Sequence, residues 1–512
     1  MAFRSASHHH PARPQSSFLW RVLPKPKNYL KTESGDAIYI PALDGEGDPD
    51  TSRLFVMRAK FDEVLRSQSD SSEVSWEYVG EASVGLETVL RPKYRAWTES
   101  FRNKDYDEQE KIRAFFLELY GPREINTLEK TARCLAKRIH IGCHKNNVEE
   151  LLWRSDFREP LLMSFHGKLF LYYVQVQKKA MTFNTLRSWA TEITDTGEPQ
   201  ILLPHPILRE KEQLWEVQKV KLEDNQESLL ISSYKGTHYS EHDEGDSTEV
   251  SLWNSSNGSD WFHYSKVYVG GGSELGFVQN PKQKNQLWGV IRLDDGDKSH
   301  GWGSLIIHSE DYGLNWTFPS RATPYCYDSS RMIVINDKVL LLGRQNVLWQ
   351  PDGSVDTSVH APFGSTYGFN AETHQEELFS NWRSGKIKNK KNGIDSFLTM
   401  FSITNLHHKP GPDIIKKIGV FNYLEGMNYW FTNAKRTAIF ELNPYNYTLS
   451  LLQTLPSAGD TSFASVIPID NKSFILANYS SDIERTDSFH WSWQQGQYQP
   501  SGIYLMNVHV GK

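Results

Sequence analysis

Residues 309–316 of this 512-residue chain read Ser-Glu-Asp-Tyr-Gly-Leu-Asn-Trp, which is the most specific short pattern in the sequence. The short oxygen acceptors of Ser309 and Asp311 can close a turn onto nearby backbone N–H groups. Gly313 supplies the positive φ that such a turn needs, and Trp316 can pin the loop against its own sheet. The stretch therefore predicts a structural turn, and we do not expect Asp311 to be catalytic.

A degenerate second copy of this pattern begins 55 residues earlier. Residues 254–261 read Asn-Ser-Ser-Asn-Gly-Ser-Asp-Trp, which keeps the Gly and the Trp and has a Ser at the place of the Asp. From about residue 150 onward, short strand-like segments alternate with turn residues, for example 169–176, 229–234, 287–292, 304–308, 338–343, 437–442 and 473–477. Similar turns at this separation favour successive blades over a sandwich. We therefore predict an all-β fold, a β-propeller of six blades.

The first 145 residues differ in composition from this repetitive region. Residues 1–30 are rich in Pro, Ser and His, and we expect them to form a disordered tail. Residues 31–145 are expected to form an N-terminal extension with some strands and a helical segment, interrupted at Gly121-Pro122. Residues 146–512 are expected to form the propeller.

Charge and cysteine content exclude several classes of protein. With 56 Lys and Arg against 62 Asp and Glu, the net charge of −6 argues against nucleic acid or an anionic membrane as partner. Cys134, Cys143 and Cys326 are too few for a disulfide framework, and no His/Cys spacing predicts a zinc site, so no metal or cofactor is expected. There is no signal-peptide pattern and no run of roughly 18 apolar residues, which favours a cytoplasmic location.

The stretch 309–316 resembles the Asp box of sialidase-like (neuraminidase, BNR-repeat) β-propellers, and the resemblance extends over roughly residues 150 to 512. Phe-Arg-Glu-Pro at 157–160 is similar to a family motif whose arginine, here Arg158, is the first of three that bind a substrate carboxylate. Arg292 and Arg344 resemble the second and third. Guanidinium groups suit this task because they bind carboxylates bidentately and stay charged. The resemblance thus implies an acidic carbohydrate as partner.

The resemblance also implies a catalytic glutamate and a tyrosine nucleophile. In the family, the glutamate that acts as the base for this tyrosine precedes the second arginine. Glu274 precedes Arg292 in the same way. The segment ending at Phe463 looks like a family segment that ends in tyrosine, but phenylalanine has no hydroxyl with which to attack. Tyr479 and Tyr423, in that order, are therefore our candidate nucleophiles.

A family aspartate acts as the acid/base from a loop that follows the first arginine. Asp195 is our candidate, with Asp243 and Asp246 as further loop residues of the same type. We expect arginines in such a pocket to contribute to recognition more than to stability.

Three functions are compatible with these residues. The leading hypothesis is a glycoside hydrolase acting on a sialic-acid-like or uronic-acid-containing glycan, because Glu274 follows the family pattern together with three arginines. Phe463 favours a first alternative, a non-catalytic glycan-binding propeller. A second alternative is a polysaccharide lyase, in which a His or Tyr abstracts the proton next to a uronate carboxylate.

Overall fold

A computed structural model gives the fold of the chain. It describes residues 2–3, 30–31, 37–44, 53–70, 74–82, 84–137, 156–179, 182–194, 199–223, 225–235, 248–297, 300–349, 355–362, 434–481, 491, 493, 496 and 501–510. The expected tail at 1–30 lies almost entirely outside these residues, and Asp195, Asp243, Asp246 and Tyr423 lie outside them altogether.

The N-terminal region combines a small sheet with three helices. Its elements are β1 (Ala2–Phe3), β2 (Leu30–Lys31), β3 (Ala37–Asp44), β4 (Arg53–Lys60), α1 (Phe61–Asp70), β5 (Val74–Ser75), β6 (Glu77–Glu81), α2 (Val84–Asn103) and α3 (Tyr106–Ala136). Strands β2, β3, β4 and β6 pair in that order and form the N-terminal sheet, while β1 pairs with β5.

Five further antiparallel sheets follow one another along the chain. The first holds β7 (Asp156–Phe165), β8 (Lys168–Lys179), β9 (Thr182–Thr194), β10 (Gln200–Ile201) and β11 (His205–Pro206). The second holds β12 (Glu212–Lys221), β13 (Glu227–Lys235), β14 (Thr248–Ser255) and β15 (Phe262–Gly270). The third holds β16 (Leu275–Gln279), β17 (Leu287–Asp297) and β18 (Gly301–Ser309).

The last two sheets complete the series. The fourth sheet holds β19 (Arg331–Ile335), β20 (Lys338–Trp349), β21 (Val355–Asp356), β22 (Ala434–Asn443) and β23 (Thr448–Thr454). The fifth holds β24 (Ser462–Pro468), β25 (Ser473–Ser481) and β26 (Ser501–His509). Main strands that follow one another along the chain are neighbours in each sheet, as in the blades of a propeller.

The first strand of each of these sheets lies at the centre of the molecule. Strands β7, β12, β16, β19 and β24 contact one another in sequence, and we call them the inner strands. They approach closely: a Cβ on Gly276 of β16 would lie 2.9 Å from the backbone oxygen of Ser330. Across the centre, the ring centroids of Trp215 and Phe463 are 5.8 Å apart. The five sheets form a β-propeller, which confirms the all-β prediction, whereas the count of six blades stays a prediction.

Hydrophobic clusters fill the spaces between consecutive sheets. Leu161, Phe170 and Leu229 belong to the cluster between the first two sheets, and the later interfaces are packed in the same way. The N-terminal sheet packs on both sides: its Met57 joins Ile475 of the fifth sheet, and its Leu54 joins Trp189 of the first. It therefore bridges the two ends of the series of sheets.

Helices α2 and α3 cover the same core as the first sheet. Asp105 caps α3, because its Oδ1 accepts a hydrogen bond of 3.1 Å from the N–H of Glu108. The expected interruption at residues 121–122 is wrong, since α3 continues through them. Phe116 on one side and Leu128 on the other are buried in one cluster, and this packing outweighs the local cost of a proline.

The turn at 309–316 has the predicted structural role. It follows β18, the strand of the third sheet farthest from the centre. The Ser309 hydroxyl oxygen accepts a 2.9 Å hydrogen bond from the N–H of Gly313, whose φ is 90°. Asp311 Oδ1 accepts a 2.8 Å bond from the N–H of Asn315, and Trp316 Nε1 donates to the carbonyl of Gly313. Asp311 thus closes a turn at the outer edge.

The second copy folds in the same way, with a shift of one residue. The Ser255 hydroxyl accepts from the N–H of Gly258, whose φ is 82°, and Trp261 Nε1 donates to the Gly258 carbonyl. Asn257 Oδ1, and not a serine, takes the place of the Asp311 carboxylate by accepting from Ser259 and Asp260. Aligning the copies on Gly and Trp alone put the acceptor at the wrong residue.

Two further observations bear on the sequence expectations. Cys134 in α3 is disulfide-bonded, whereas Cys326 is a buried cysteine that is not disulfide-bonded. Within the described ranges, no helix is both long enough and apolar enough to cross a bilayer.

We predict that Ser309→Ala lowers the free energy of unfolding by about 1–2 kcal/mol, because buried N–H groups of the turn lose their acceptor. Ser255→Ala should have a similar effect in the second sheet, and Glu310→Ala, at an exposed neighbour, should have almost none. Urea unfolding of the three variants tests this. Equal stability of Ser309→Ala and Glu310→Ala would contradict the role assigned to the serine.

Candidate active site

Three carboxylates lie just before the inner strands of three consecutive sheets. Glu274 directly precedes β16, Asp328 lies three residues before β19, and Asp460 lies two residues before β24. The second strand of each sheet runs antiparallel to the first, so it brings a residue of its own to the same end. These residues are Arg292, Arg344 and Tyr479. The topology therefore gathers acidic, basic and phenolic groups at one end of the propeller centre.

Glu274 and Arg292 form the pair of the third sheet. Arg292 Nη1 lies 2.8 Å from Glu274 Oε1, and both side chains are about 6% exposed. The backbone N–H of Ser329 donates a 2.8 Å hydrogen bond to the other oxygen, Glu274 Oε2. Glu274 thus ties the third sheet to the segment that enters the fourth.

Asp328 and Arg344 form the pair of the fourth sheet. Arg344 Nη1 donates to Asp328 Oδ2 at 3.0 Å, and the Asp328 side chain has no exposed surface. Burial alone would raise the pKa of Asp328, but the positive charges of Arg344, Arg292 and Lys435 hold it below its ordinary value. Three cations therefore surround one buried carboxylate. We call Glu274, Arg292, Asp328, Arg344 and Lys435 the inner charge cluster.

Lys435 enters this cluster from β22, the third strand of its sheet. Its backbone pairs with that of Asn346, and its Nζ donates to Asn346 Oδ1. Burial lowers the pKa of the Lys435 amine to about 7, although the charge of Asp328 opposes the shift. A lysine of this kind can be neutral or charged near neutral pH, so it can bind an anion or accept a proton.

His360 lies beside the cluster as a neutral ring. Its Nδ1 accepts a 3.2 Å hydrogen bond from the N–H of Asn346, which fixes the tautomer of the neutral form. The ring packs against Tyr325, Tyr327 and Phe440. Burial lowers the pKa of His360 to about 4, despite the nearby charge of Asp328.

Tyr479 and Asp460 form the pair of the fifth sheet. The Tyr479 hydroxyl donates a 2.9 Å hydrogen bond to Asp460 Oδ1, and both residues are buried. Arg344 reaches the same pair: its Nη2 lies 3.8 Å from Asp460 Oδ1, and its Nε donates to the carbonyl of Thr461 at 2.9 Å. The tyrosine–carboxylate pair is thus continuous with the inner charge cluster.

Phe463 lies next to Tyr479 in a strained conformation. Its φ is 56°, which bulky side chains rarely adopt, and it lies in an irregular stretch of β24 between Ser462 and Ser465. The ring centroids of Phe463 and Tyr479 are 6.1 Å apart at an interplanar angle of 15°. Strain of this kind is found most often at functional sites, where the surrounding packing maintains it.

The structure brings only some of the predicted site residues together. Arg292 and Arg344 both act on Asp328, and Tyr479 joins them through Asp460. Arg158 is half-buried in the inner strand β7, and its meeting with the other two arginines stays a prediction. Glu274 was predicted to be the base for the tyrosine, yet the hydroxyl of Tyr479 donates to Asp460.

Sequence reasoning missed Asp328, Asp460 and Lys435. An acidic residue within three positions of each inner strand was the available signal for the first two, beside Glu274. Lys435 carries no local signal, because strand pairing over a separation of 89 residues brings it to Asn346. Among the residues that the structure describes, no three His, Cys, Asp or Glu side chains are grouped as metal ligands.

No protein-family model matches the chain, and no curated protein matches it either. Among solved structures, a Dyadobacter fermentans DSM 18053 protein of unknown function has a TM-score of 0.46 and 11% identity, covering 96% of this chain and 95% of that one. The Trypanosoma rangeli sialidase bound to the inhibitor DANA has a TM-score of 0.43 and 10% identity, and the match covers 96% of this chain but only 55% of that one.

An endo-arabinase from Bacteroides thetaiotaomicron VPI-5482 is also similar, with a TM-score of 0.33, 8% identity, and coverage of 96% and 95%. Glycosidases thus occur among the similar solved structures. Similarities of this size do not place the chain in the family of any of these proteins.

The burial of Arg344 changes the expectation that it contributes little to stability. We predict that Arg344→Met costs about 3 kcal/mol, because it leaves Asp328 with less compensation inside the protein. The double variant Arg344→Met/Asp328→Asn should be destabilised by clearly less than the sum of the two single variants. A double-mutant cycle by chemical denaturation measures the coupling. Additive effects to within about 0.5 kcal/mol would show that the two side chains act independently.

A second prediction concerns pH. Because the pKa of His360 is lower in the folded state (about 4) than its ordinary value, the unfolded chain binds more protons between pH 4 and 6.5. The contribution of His360 to stability is therefore lost as pH falls through this window, by up to about 1.4 kcal/mol per pH unit. In His360→Asn the pH dependence should be shallower. If the free energy of unfolding depends on pH in the same way in both proteins, His360 is not a buried neutral ring.

Proposed function

We propose that the protein is a glycoside hydrolase acting on an acidic sugar, of the sialic-acid-like or uronic-acid-containing kind. One observation carries the proposal: a tyrosine hydroxyl hydrogen-bonded to a carboxylate, Tyr479 to Asp460, lies beside the inner charge cluster. A nucleophile within reach of a base, which another group in turn orients, is the general arrangement for covalent catalysis. A phenol suits an anionic sugar, because a neutral nucleophile avoids repulsion by the sugar carboxylate.

In this proposal Tyr479 attacks the anomeric carbon while Asp460 takes its proton. Arg344 supports the step by holding Asp460 in place, since its Nη2 lies 3.8 Å from Asp460 Oδ1 and its Nε donates to the carbonyl of the adjacent Thr461. Glu274 positions Arg292 and the backbone of Ser329 and does not act as the base. Asp195 remains the sequence-based candidate for the acid that protonates the leaving group. Tyr423 remains the second candidate for the nucleophile.

We further propose that the N-terminal sheet serves as the sixth blade. Its packing against both the fifth and the first sheet supports this count, because a sixth sheet in that position would close the ring. Residues 31–145 would then form a blade and a helical insertion in one unit with residues 146–512. Arg158 would lie next to the point at which the ring of blades closes.

The non-catalytic alternative also has an observation in its favour. Phe463 occupies the place at which the resemblance implies a tyrosine, and both oxygens of Glu274 already accept hydrogen bonds from the protein itself. A propeller that binds acidic glycans without cleaving them would need only the cations. Loss of the nucleophile would leave such binding intact.

The test is hydrolysis of an aryl sialoside and a panel of aryl uronides by the purified protein. We expect release of the aryl alcohol, with kcat lowered by about 10²–10⁴-fold in Asp460→Asn and by at least as much in Tyr479→Phe. Tyr445→Phe, at a side chain that is 93% exposed, is the matched control and should retain full activity.

Two other outcomes would overturn the hydrolase proposal. Saturable binding of acidic sugars without turnover would establish the glycan-binding alternative. Formation of an ultraviolet-absorbing unsaturated uronate, in place of simple hydrolysis, would establish the lyase.

A further inference from the structure

Arg331, a buried cation near the propeller centre, has one edge of its guanidinium group without hydrogen-bond partners. Arg331 is the first residue of the inner strand β19 and is 6% exposed. Its Nε and Nη2 atoms are buried and have no hydrogen-bond partner, and its Nη1 lies 3.8 Å from Glu216 Oε1, beyond hydrogen-bond distance. In contrast, Arg292 and Arg344 make direct bonds to carboxylates.

Glu216 does not satisfy Arg331, because its own oxygens serve other groups. Glu216 Oε1 accepts a 2.8 Å hydrogen bond from Gln218 Nε2, and Oε2 accepts a 3.1 Å bond from the N–H of Phe277. Gln218 also donates to the carbonyl of Met332, next to Arg331 in β19. This network links three inner strands and holds the carboxylate away from the guanidinium.

The unpaired atoms of Arg331 have the geometry of a binding fork. Nε and Nη2 carry parallel N–H bonds on one edge of the planar guanidinium, and such an edge matches the two oxygens of a carboxylate. Leaving a charged donor buried without a partner is costly. Burial accordingly lowers the pKa of Arg331 in spite of Glu216. An oxyanion on this edge would remove the cost.

The chain next to Arg331 offers further donors. The hydroxyl oxygens of Ser329 and Ser330 are buried and have no hydrogen-bond partner. Ser330 faces the neighbouring inner strand, since its Oγ is 2.7 Å from the position that a Cβ on Gly276 would take. Hydroxyl groups and a guanidinium edge together form a donor-rich environment, which suits an anion better than a cation.

We propose that the Nε/Nη2 edge of Arg331 binds a planar oxyanion, a carboxylate, at the centre of the propeller. The carboxylate can belong to a small free acid such as formate or to an acidic sugar. The second source rests on the proposed function, whereas oxyanion binding itself does not. If the carboxylate belongs to an acidic sugar, Arg331 determines the specificity for such sugars, whereas Arg292 and Arg344 are already paired with carboxylates of the protein.

Calorimetric titration at constant ionic strength tests the proposal, with formate, N-acetylneuraminate and glucuronate as ligands and chloride as the reference anion. We expect saturable binding of formate that weakens by at least about tenfold in Arg331→Lys, which keeps the charge but loses the fork. Arg321→Lys, at an exposed side chain, is the control and should bind as the unmodified protein does. Circular dichroism and the melting temperature verify that each variant is folded.

Glu216→Gln gives a second, independent measurement if Arg331→Lys fails to fold. Removing the negative charge nearest to Arg331 should tighten formate binding several-fold, and unchanged or weaker binding would count against the site. The proposal is overturned if the unmodified protein shows no saturable formate binding, or if Arg331→Lys binds formate equally well. The Nε/Nη2 edge of Arg331 would then not be a carboxylate site.

Titration with the two acidic sugars distinguishes the oxyanion site at Arg331 from the proposed hydrolysis of acidic sugars. Formate binding without sugar binding would keep the oxyanion site and remove the sugar as its source. Normal hydrolysis of acidic sugars by Arg331→Lys would keep the proposed function and refute the role of Arg331 in specificity.

Discussion

The buried carboxylate of Asp328 is the constraint on which the centre of this propeller depends. It has no contact with solvent, and an isolated charge in that position would cost several kcal/mol. Arg344 and Lys435 from its own sheet and Arg292 from the preceding sheet compensate it. Arg344 also donates to the carbonyl of Thr461, the residue directly before the following sheet. One charge thus fixes the mutual position of three blades at the end where their inner strands begin.

This arrangement assigns different tasks to arginines that look alike in sequence. An arginine whose donors are used by buried carboxylates mainly maintains the geometry of the site, and its removal exposes an uncompensated charge. An arginine with an edge that has no hydrogen-bond partner, as in Arg331, is the one that we propose binds a ligand. Burial alone does not distinguish the two cases, because Arg292, Arg331 and Arg344 are all less than 7% exposed. A direct hydrogen bond to a carboxylate does, since Arg292 and Arg344 each make one and Arg331 does not.

Local features of the fold could be predicted from the sequence, whereas most of the site could not. The turn at 309–316 depends on a few side chains that bond within eight residues, so its role followed from the residue types. Arg292 and Arg344 were proposed from the family resemblance, and their binding of a substrate carboxylate stays a prediction. Lys435 was missed because its place results from pairing between distant strands. Asp460 was present in a segment singled out for Phe463, but only the structure shows the hydroxyl that it binds.

A crystal structure of the protein with a bound acidic monosaccharide, such as N-acetylneuraminate or glucuronate, would show whether the inner charge cluster borders an active site. We expect the sugar to lie at the start of the inner strands, with its anomeric carbon roughly 3–3.5 Å from the Tyr479 hydroxyl, the distance that suits attack. Its carboxylate should lie within hydrogen-bond distance of a guanidinium at the propeller centre. A sugar bound on another surface, with the inner charge cluster unchanged and closed, would show that these charges maintain the fold and do not form an active site.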